Sequence, residues 1–148
     1  MIVTIDTSVL YQALYSSSGA SHAIVRLIRS GEIRLSLSVA VYSEYQDVLT
    51  RPEKRTELGL SVDEVQTVLD FIAFIGVPSP VHFRMRPNLR DENDNAFVEL
   101  AFASGSACLI TQNIRDFTVH ADLNLGQLAV VTPAQFMNQW RKTHGTQA

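Results

Sequence analysis

Residues 2–10 read Ile-Val-Thr-Ile-Asp-Thr-Ser-Val-Leu, a short run of apolar and β-branched residues that leads into an aspartate. Runs of this kind are typical of buried β-strands, so we predict a strand over Ile2–Ile5. Similar runs predict the strands Ile33–Leu37, Ala107–Thr111 and Leu128–Val131. Val77–Phe83 is a weaker candidate, because Pro78 and Pro80 have no amide hydrogen to donate to a neighbouring strand.

Helical patterns with clear start and stop residues lie between these strands. Ser61 and Glu64 form a capping box, and Thr132 stands before Pro133 at the first position of a C-terminal helix. The predicted helices are Ser21–Ser30 with its end at Gly31, a helix from Ser38 to about Thr50 ended by Arg51-Pro52, a helix that follows Ser61, Asp94–Ser104 with its end at Gly105, and a helix from Pro133 through Trp140. This alternation predicts an α/β fold with a mainly parallel sheet covered by helices on both faces.

Length and composition narrow the class of protein. The chain has 148 residues, of which 46% are hydrophobic and 18% charged, and we expect one globular domain over residues 1–148. No apolar run reaches the roughly 18 residues of a membrane span, and the start lacks the features of a signal peptide, so we expect a cytoplasmic protein without membrane contact. The single cysteine, Cys108, excludes an intramolecular disulfide and is expected to be buried.

The net charge of −3 argues against a protein that holds nucleic acid through a broad cationic surface. It does not exclude an enzyme that acts on nucleic acid with a group of metal-binding carboxylates. Ligands of open parallel sheets bind beyond the carboxyl ends of the strands, so acidic residues at those positions are candidates for function.

Asp6 directly follows the first predicted strand, where it is either the N-cap of the next helix or part of a site. Glu44 has apolar neighbours one turn away on both sides, so we expect it on the packed side of its helix. A carboxylate there needs a cation, a pKa shift, an arginine partner or a path to the surface.

Two further segments place acids at the edge of the sheet. Asp91 and Asp94 are three positions apart at the start of a helix, where they either oppose the helix dipole or bind a metal. Thr111 and Asn113 follow the predicted strand Ala107–Thr111 and suit a turn, and Asp116 comes shortly after them as a loop charge or a ligand.

The joint pattern favours a metal site. Carboxylates from distant segments that converge at one edge repel each other, and a divalent cation relieves that repulsion. Oxygen ligands suit Mg²⁺ or Mn²⁺, and none of the four histidines has the spacing of a zinc-hydrolase ligand pair.

These segments together resemble the PIN-domain ribonucleases, and among them the toxin components of VapBC-like toxin–antitoxin pairs. The matching stretches are residues 2–10, Ser43-Glu44 through Pro52, Arg90-Asp91 through Phe97, and Leu109 through Phe117, in the family's order. The resemblance implies a compact α/β/α sandwich and Mg²⁺- or Mn²⁺-dependent endonucleolytic cleavage of RNA. It also implies an antitoxin partner and a homodimer.

By this resemblance Asp6, Glu44 and Asp94 are the central metal-site acids, with Asp116 the fourth and Asp91 an additional one. Ser8 and Thr111 would support them through hydrogen bonds. Many PIN domains have an aspartate in place of Asn113, so either Asp116 or Asn113 completes the site, and Glu92 replaces a common proline.

Three arginines, Arg84, Arg86 and Arg90, lie shortly before Asp91 and Asp94 in the chain. They either contact the RNA backbone or are ordinary solvated side chains. Two other classes of protein compete with the nuclease. A phosphorylatable receiver domain needs a lysine after a late strand, and the chain has only Lys54 and Lys142. A catalytically weak or inactive PIN-like module that binds RNA or protein is the alternative that Asn113 favours.

Overall fold

The computed structural model describes residues 1–81, 92–118 and 128–145. The strands are β1 (Ile2–Ile5), β2 (Arg34–Leu37), β3 (Val77–Pro78), β4 (Cys108–Ile110) and β5 (Ala129–Val131). They form one parallel sheet with the order β3-β2-β1-β4-β5, flanked by helices. This confirms the predicted α/β fold with its mainly parallel central sheet.

The helices of the described part begin and end close to the positions that the sequence predicts. They are α1 (Thr7–Tyr15), α2 (Ala20–Ser30), α3 (Val39–Leu49), α4 (Pro52–Leu58), α5 (Val62–Ile75), α6 (Glu92–Ser104), α7 (Ile114–Thr118) and α8 (Pro133–His144). The predicted capping box at Ser61 is present, and the predicted N-cap Thr132 also forms a capping box, with Gln135. The left-handed backbone of Gly31, with φ of 82°, ends α2 as its position predicts.

Three helices, α1, α4 and α7, are not in the predicted set, although the interpretation of Asp6 as an N-cap anticipated a helix after it. The Arg51-Pro52 pair ends α3, as expected, but Pro52 is also the first residue of α4. Proline is favoured at that position because the amide hydrogen it lacks has no partner within the helix. The weak fifth strand is also shorter than Val77–Phe83, since β3 ends at Pro78, and Phe83 lies outside the described residues.

β1 is the central strand, and Asp6 directly follows its carboxyl end. Val3 pairs with Leu35 of β2 and with Cys108 of β4, and Val3 is fully buried. Because all three strands run in the same direction, their carboxyl ends meet at one edge of the sheet. Cys108 is 6% exposed, as predicted, and burial raises the pKa of its thiol to about 11.

The packing of the helices brings distant acidic segments toward this edge. α3 packs against α1 and α6, and α6 in turn packs against β1 and α7. Across the three described ranges, no helix combines the length and apolar character needed to span a membrane.

Candidate metal centre

Asp6 lies at the carboxyl end of β1 and begins α1. Its backbone is extended, with φ of −81° and ψ of 171°, and its Oδ1 accepts a hydrogen bond of 3.2 Å from the amide of Val9. Its own amide continues the ladder to β4 by donating to the carbonyl of Ile110 at 3.0 Å. Asp6 is therefore a helix N-cap, and it is also buried, with only 6% of its surface exposed.

Two hydroxyl groups hold the Asp6 carboxylate, one on each oxygen. Ser8 Oγ donates to Oδ1 at 2.5 Å, and Thr111 Oγ1 donates to Oδ2. Each hydroxyl also accepts a backbone hydrogen bond from the segment after β4, Ser8 from the amide of Gln112 at 3.3 Å and Thr111 from that of Asn113 at 3.0 Å. Since a hydroxyl has one hydrogen, these amides direct that hydrogen toward Asp6.

The Asp6 carboxylate accepts hydrogen bonds on both oxygens, from Ser8 Oγ and the Val9 amide on Oδ1 and from Thr111 Oγ1 on Oδ2. The backbone of Ser8 adds a further hydrogen bond to this carboxylate. Burial raises the pKa of Asp6 above the ordinary value of 3.8, although its hydrogen bonds with Ser8, Thr111 and Val9 oppose the rise. A nearby cation favours the ionised form and offsets this cost, so Asp6 suits a hard divalent ion.

A buried tyrosine on α3, Tyr45, contacts both β1 and α6. It thereby links the segments that contain the predicted acids Asp6, Glu44 and Asp94. Tyr45 Oη donates to the carbonyl of Ile5 at 2.6 Å, immediately before Asp6 in the chain. The Tyr45 ring also contacts Phe97 of α6, with 6.1 Å between centroids and 42° between planes. Glu44 directly precedes Tyr45, and Asp94 lies about one helical turn before Phe97.

Glu44 lies beside the buried face of α3 rather than on it. The buried residues of α3 are Val41, Tyr45 and Leu49, whereas Glu44 is partly exposed. Ala40, one of the apolar neighbours one turn before Glu44, is exposed. Glu44 is therefore only partly buried, whereas Tyr45, its immediate neighbour, is fully buried.

The remaining predicted acids lie on α6 and α7. Asp94 is partly exposed in the first turns of α6, next to Asn95, which is only 4% exposed. Asp116 is exposed on α7, and its amide donates to the carbonyl of Asn113 at 3.1 Å. The Asn113 side chain is exposed, so its observed contribution to the site is its backbone amide.

No group of three or more His, Cys, Asp or Glu side chains suited to one metal ion occurs within residues 1–81, 92–118 and 128–145. Mg²⁺ does not need such a group, because it retains several waters and often binds one or two carboxylates together with substrate phosphates. Asp91 and the arginines Arg84, Arg86 and Arg90 lie outside the described residues.

Sequence reasoning missed Tyr45 and the side chain of Gln112. Tyr45 continues an apolar stripe four residues after Val41, which is a pattern that identifies a core residue but not its hydrogen bond. Gln112 Nε2 donates to Ser21 Oγ of α2 at 3.0 Å, and Ser21 is 2% exposed. A polar residue after a strand gave no indication of that distant partner.

Comparisons with known proteins identify the family and agree with the fold. A family model described as the PIN domain matches residues 2–115, and the chain belongs to the PIN-domain family. An uncharacterized protein of Methanocaldococcus jannaschii, MJ1680, is 30% identical over 146 residues, which cover 95% of this chain and 92% of the relative. The fold also resembles a chain in the crystal structure of VapBC2 from Rickettsia felis bound to a DNA fragment from their promoter. That similarity has a TM-score of 0.59 and 18% identity, and it covers 89% of this chain and 98% of the other.

Proposed function

We propose that the protein is a Mg²⁺- or Mn²⁺-dependent endoribonuclease that hydrolyses RNA phosphodiester bonds. The observation that supports this most directly is the buried Asp6 carboxylate, which lies at the carboxyl end of the central strand and accepts a hydroxyl hydrogen bond on each oxygen. PIN domains are generally nucleases, and the family match includes this residue.

Asp6, Glu44 and Asp94 are the proposed principal metal ligands, with Asp116 as the fourth and Asp91 as an additional acid. A divalent cation at this position supplies charge neutralisation and lowers the pKa of water toward neutrality. Ser8 and Thr111 orient the Asp6 carboxylate through their hydroxyl groups. Because Asp6 is already oriented, it does not have to reorganise when charge develops on the reacting phosphate.

We assign RNA binding to the arginine-containing segment that precedes Asp91 and Asp94 in the chain. Arg84, Arg86 and Arg90 suit contacts with phosphate oxygens, which position a nucleic acid without reading its sequence. In this proposal the acids of the site contribute to the negative net charge of the chain. The three arginines form a locally basic border beside those acids, and this border attracts the RNA backbone.

We extend the proposal to a toxin of a toxin–antitoxin pair that forms a homodimer and binds a cognate antitoxin. The similarity of fold to a chain of VapBC2 supports it. The neighbouring open reading frame should encode a small protein that co-purifies with this chain when both are expressed. A neighbour that fails to bind, together with a monomer in light scattering, contradicts this extension and leaves the nuclease proposal intact.

The nuclease is tested by incubating RNA with the purified protein in MnCl₂, in MgCl₂ and in EDTA. Asp6→Asn and Asp94→Asn are expected to lower cleavage at least about 100-fold, because each removes a charged ligand. Asp70→Asn, an exposed acid on α5, is the matched control and should cleave like the original protein. Cleavage that persists in EDTA, or in both site variants, refutes the mechanism.

The second candidate is a PIN-like module that binds RNA or protein without cleaving it. The absence of a three-acid group within the described ranges, and the presence of Asn113, favour it. A gel-shift assay distinguishes the two, because the module binds RNA equally well in EDTA and leaves it intact in MnCl₂.

A further inference from the structure

The peptide group that joins Ile5 to Asp6 is held at both of its polar atoms. Its carbonyl accepts the hydrogen bond from Tyr45 Oη at 2.6 Å, and its amide donates to the Ile110 carbonyl at 3.0 Å. Because a peptide group is planar, these two bonds together define the orientation of the backbone at which the Asp6 side chain begins. α3 thereby contributes to the placement of a residue that is on a different element.

Tyr45 also relates the other two acidic segments to this point. It is fully buried, so its ring is fixed by packing, and it contacts Phe97 of α6. Glu44 is its immediate neighbour on α3, and Asp94 is one turn from Phe97. A change in the height of the Tyr45 ring above the sheet would therefore move the Glu44 and Asp94 backbones relative to Asp6.

The chemistry of Tyr45 suits a structural donor better than a proton-transfer group. Burial raises the pKa of the phenol far above its ordinary value of 10.0, and the charge of Asp6 raises it further. The hydroxyl is the donor in this bond, because a carbonyl oxygen can only accept a hydrogen bond.

We propose that Tyr45 is a positioning residue that sets the spacing of Asp6, Glu44 and Asp94 and thereby the affinity of the site for a divalent cation. The proposal rests on the function proposed above. The hydroxyl group acts through the backbone of Ile5 and has no direct contact with the ion.

The test is Tyr45→Phe, which retains the ring and its contact with Phe97 but removes the donor. Titration calorimetry with MnCl₂ alone should show a dissociation constant about 3- to 10-fold higher, somewhat less than the effect of removing a direct hydrogen bond to a metal ligand. RNA cleavage should fall at low Mn²⁺ and recover at saturating Mn²⁺. Tyr42→Phe, the same change one turn earlier on α3, is the matched control and should leave the affinity unchanged.

Circular dichroism is measured first, so that only folded variants are compared. If Tyr45→Phe is not folded, Phe97→Leu is used instead, because it keeps the hydroxyl bond and loosens the ring contact with α6. Unchanged Mn²⁺ affinity in the folded variant, while the original protein binds Mn²⁺ and cleaves RNA, overturns the positioning role alone. An original protein that neither binds Mn²⁺ nor cleaves RNA overturns the proposed function.

Discussion

Thr111→Val tests whether the segment after β4 stabilises the Asp6 carboxylate. Thr111 is fully buried, and its hydroxyl donates to Asp6 Oδ2 while it accepts from the amide of Asn113 at 3.0 Å. Valine has nearly the same shape and replaces that hydroxyl with a methyl group. The substitution therefore removes one hydrogen bond to a buried charge and leaves the packing volume almost unchanged.

The expected loss of unfolding free energy at pH 7 is about 1.5–3 kcal/mol, the range for a hydrogen bond to a charged group. The Asn113 amide also loses its acceptor, Thr111 Oγ1. For a protein of 148 residues this corresponds to a fall in Tm of about 5–10 °C.

The loss should depend on pH with a definite sign. Burial raises the Asp6 pKa above 3.8, and the Thr111 hydrogen bond opposes that rise, so the substitution raises this pKa further. The stability associated with a raised carboxyl pKa is present below the unfolded value and is lost as pH rises through the folded value. The difference between variant and original protein should therefore be larger at pH 7 than near pH 4.

Urea denaturation in EDTA measures both quantities. Thr67→Val is the control, because Thr67 is exposed on α5 and its hydroxyl bonds only to the Asp63 carbonyl of its own helix. In an Asp6→Asn background the Thr111→Val loss should shrink, since the charge is gone. Equal losses at both pH values, or in both backgrounds, would refute the idea that the hydroxyl stabilises the Asp6 charge.

Two other substitutions test the energetic cost of the site and the packing beside it. Asp6→Asn should raise the unfolding free energy at pH 7 in EDTA, because it removes a buried charge. It should also abolish the stabilisation by MnCl₂ that we expect in thermal melts of the original protein; a lower stability in EDTA contradicts this. Gly76→Ala should cost about 1–3 kcal/mol in urea denaturation. The added Cβ would lie 2.7 Å from Leu37 Cδ2 and 2.9 Å from the Ile72 carbonyl oxygen. Gly19→Ala is the control, because the nearest atom to a Cβ at Gly19 is 4.0 Å away. An equal loss of unfolding free energy in the two variants would contradict a steric clash at Gly76.

Asp6 shows how one residue serves both fold and site. As an N-cap it satisfies the amide of Val9, and this role alone would explain an exposed aspartate at the start of α1. A cap does not require burial or two further hydroxyl donors, however. These additional features constrain the carboxylate more tightly than helix capping needs, and they distinguish Asp6 from the simple caps at Ser38 and Ser61.

Local patterns in the sequence were sufficient to predict the strands, most helix ends and the position of Asp6. The capping boxes at Ser61 and Thr132 involve residues three positions apart, so their hydrogen bonds can be anticipated without knowledge of the fold. The strand-helix alternation likewise predicts a parallel sheet, and that sheet places Asp6 and Thr111 at the same edge. α4 and α7 escaped prediction because both are short and lack a strong apolar period.

The tertiary structure alone decided which groups satisfy one another at that edge. The Thr111 hydroxyl meets Asp6 across 105 positions of sequence, and the Tyr45 hydroxyl meets the Ile5 carbonyl across 40. Such bonds depend on the register of β1 with β4 and on the packing of α3 over the sheet, which arise from the burial of many apolar side chains at once. Sequence periodicity identifies the buried face of a helix, but the partner of a polar atom on that face is determined only when distant elements pack together.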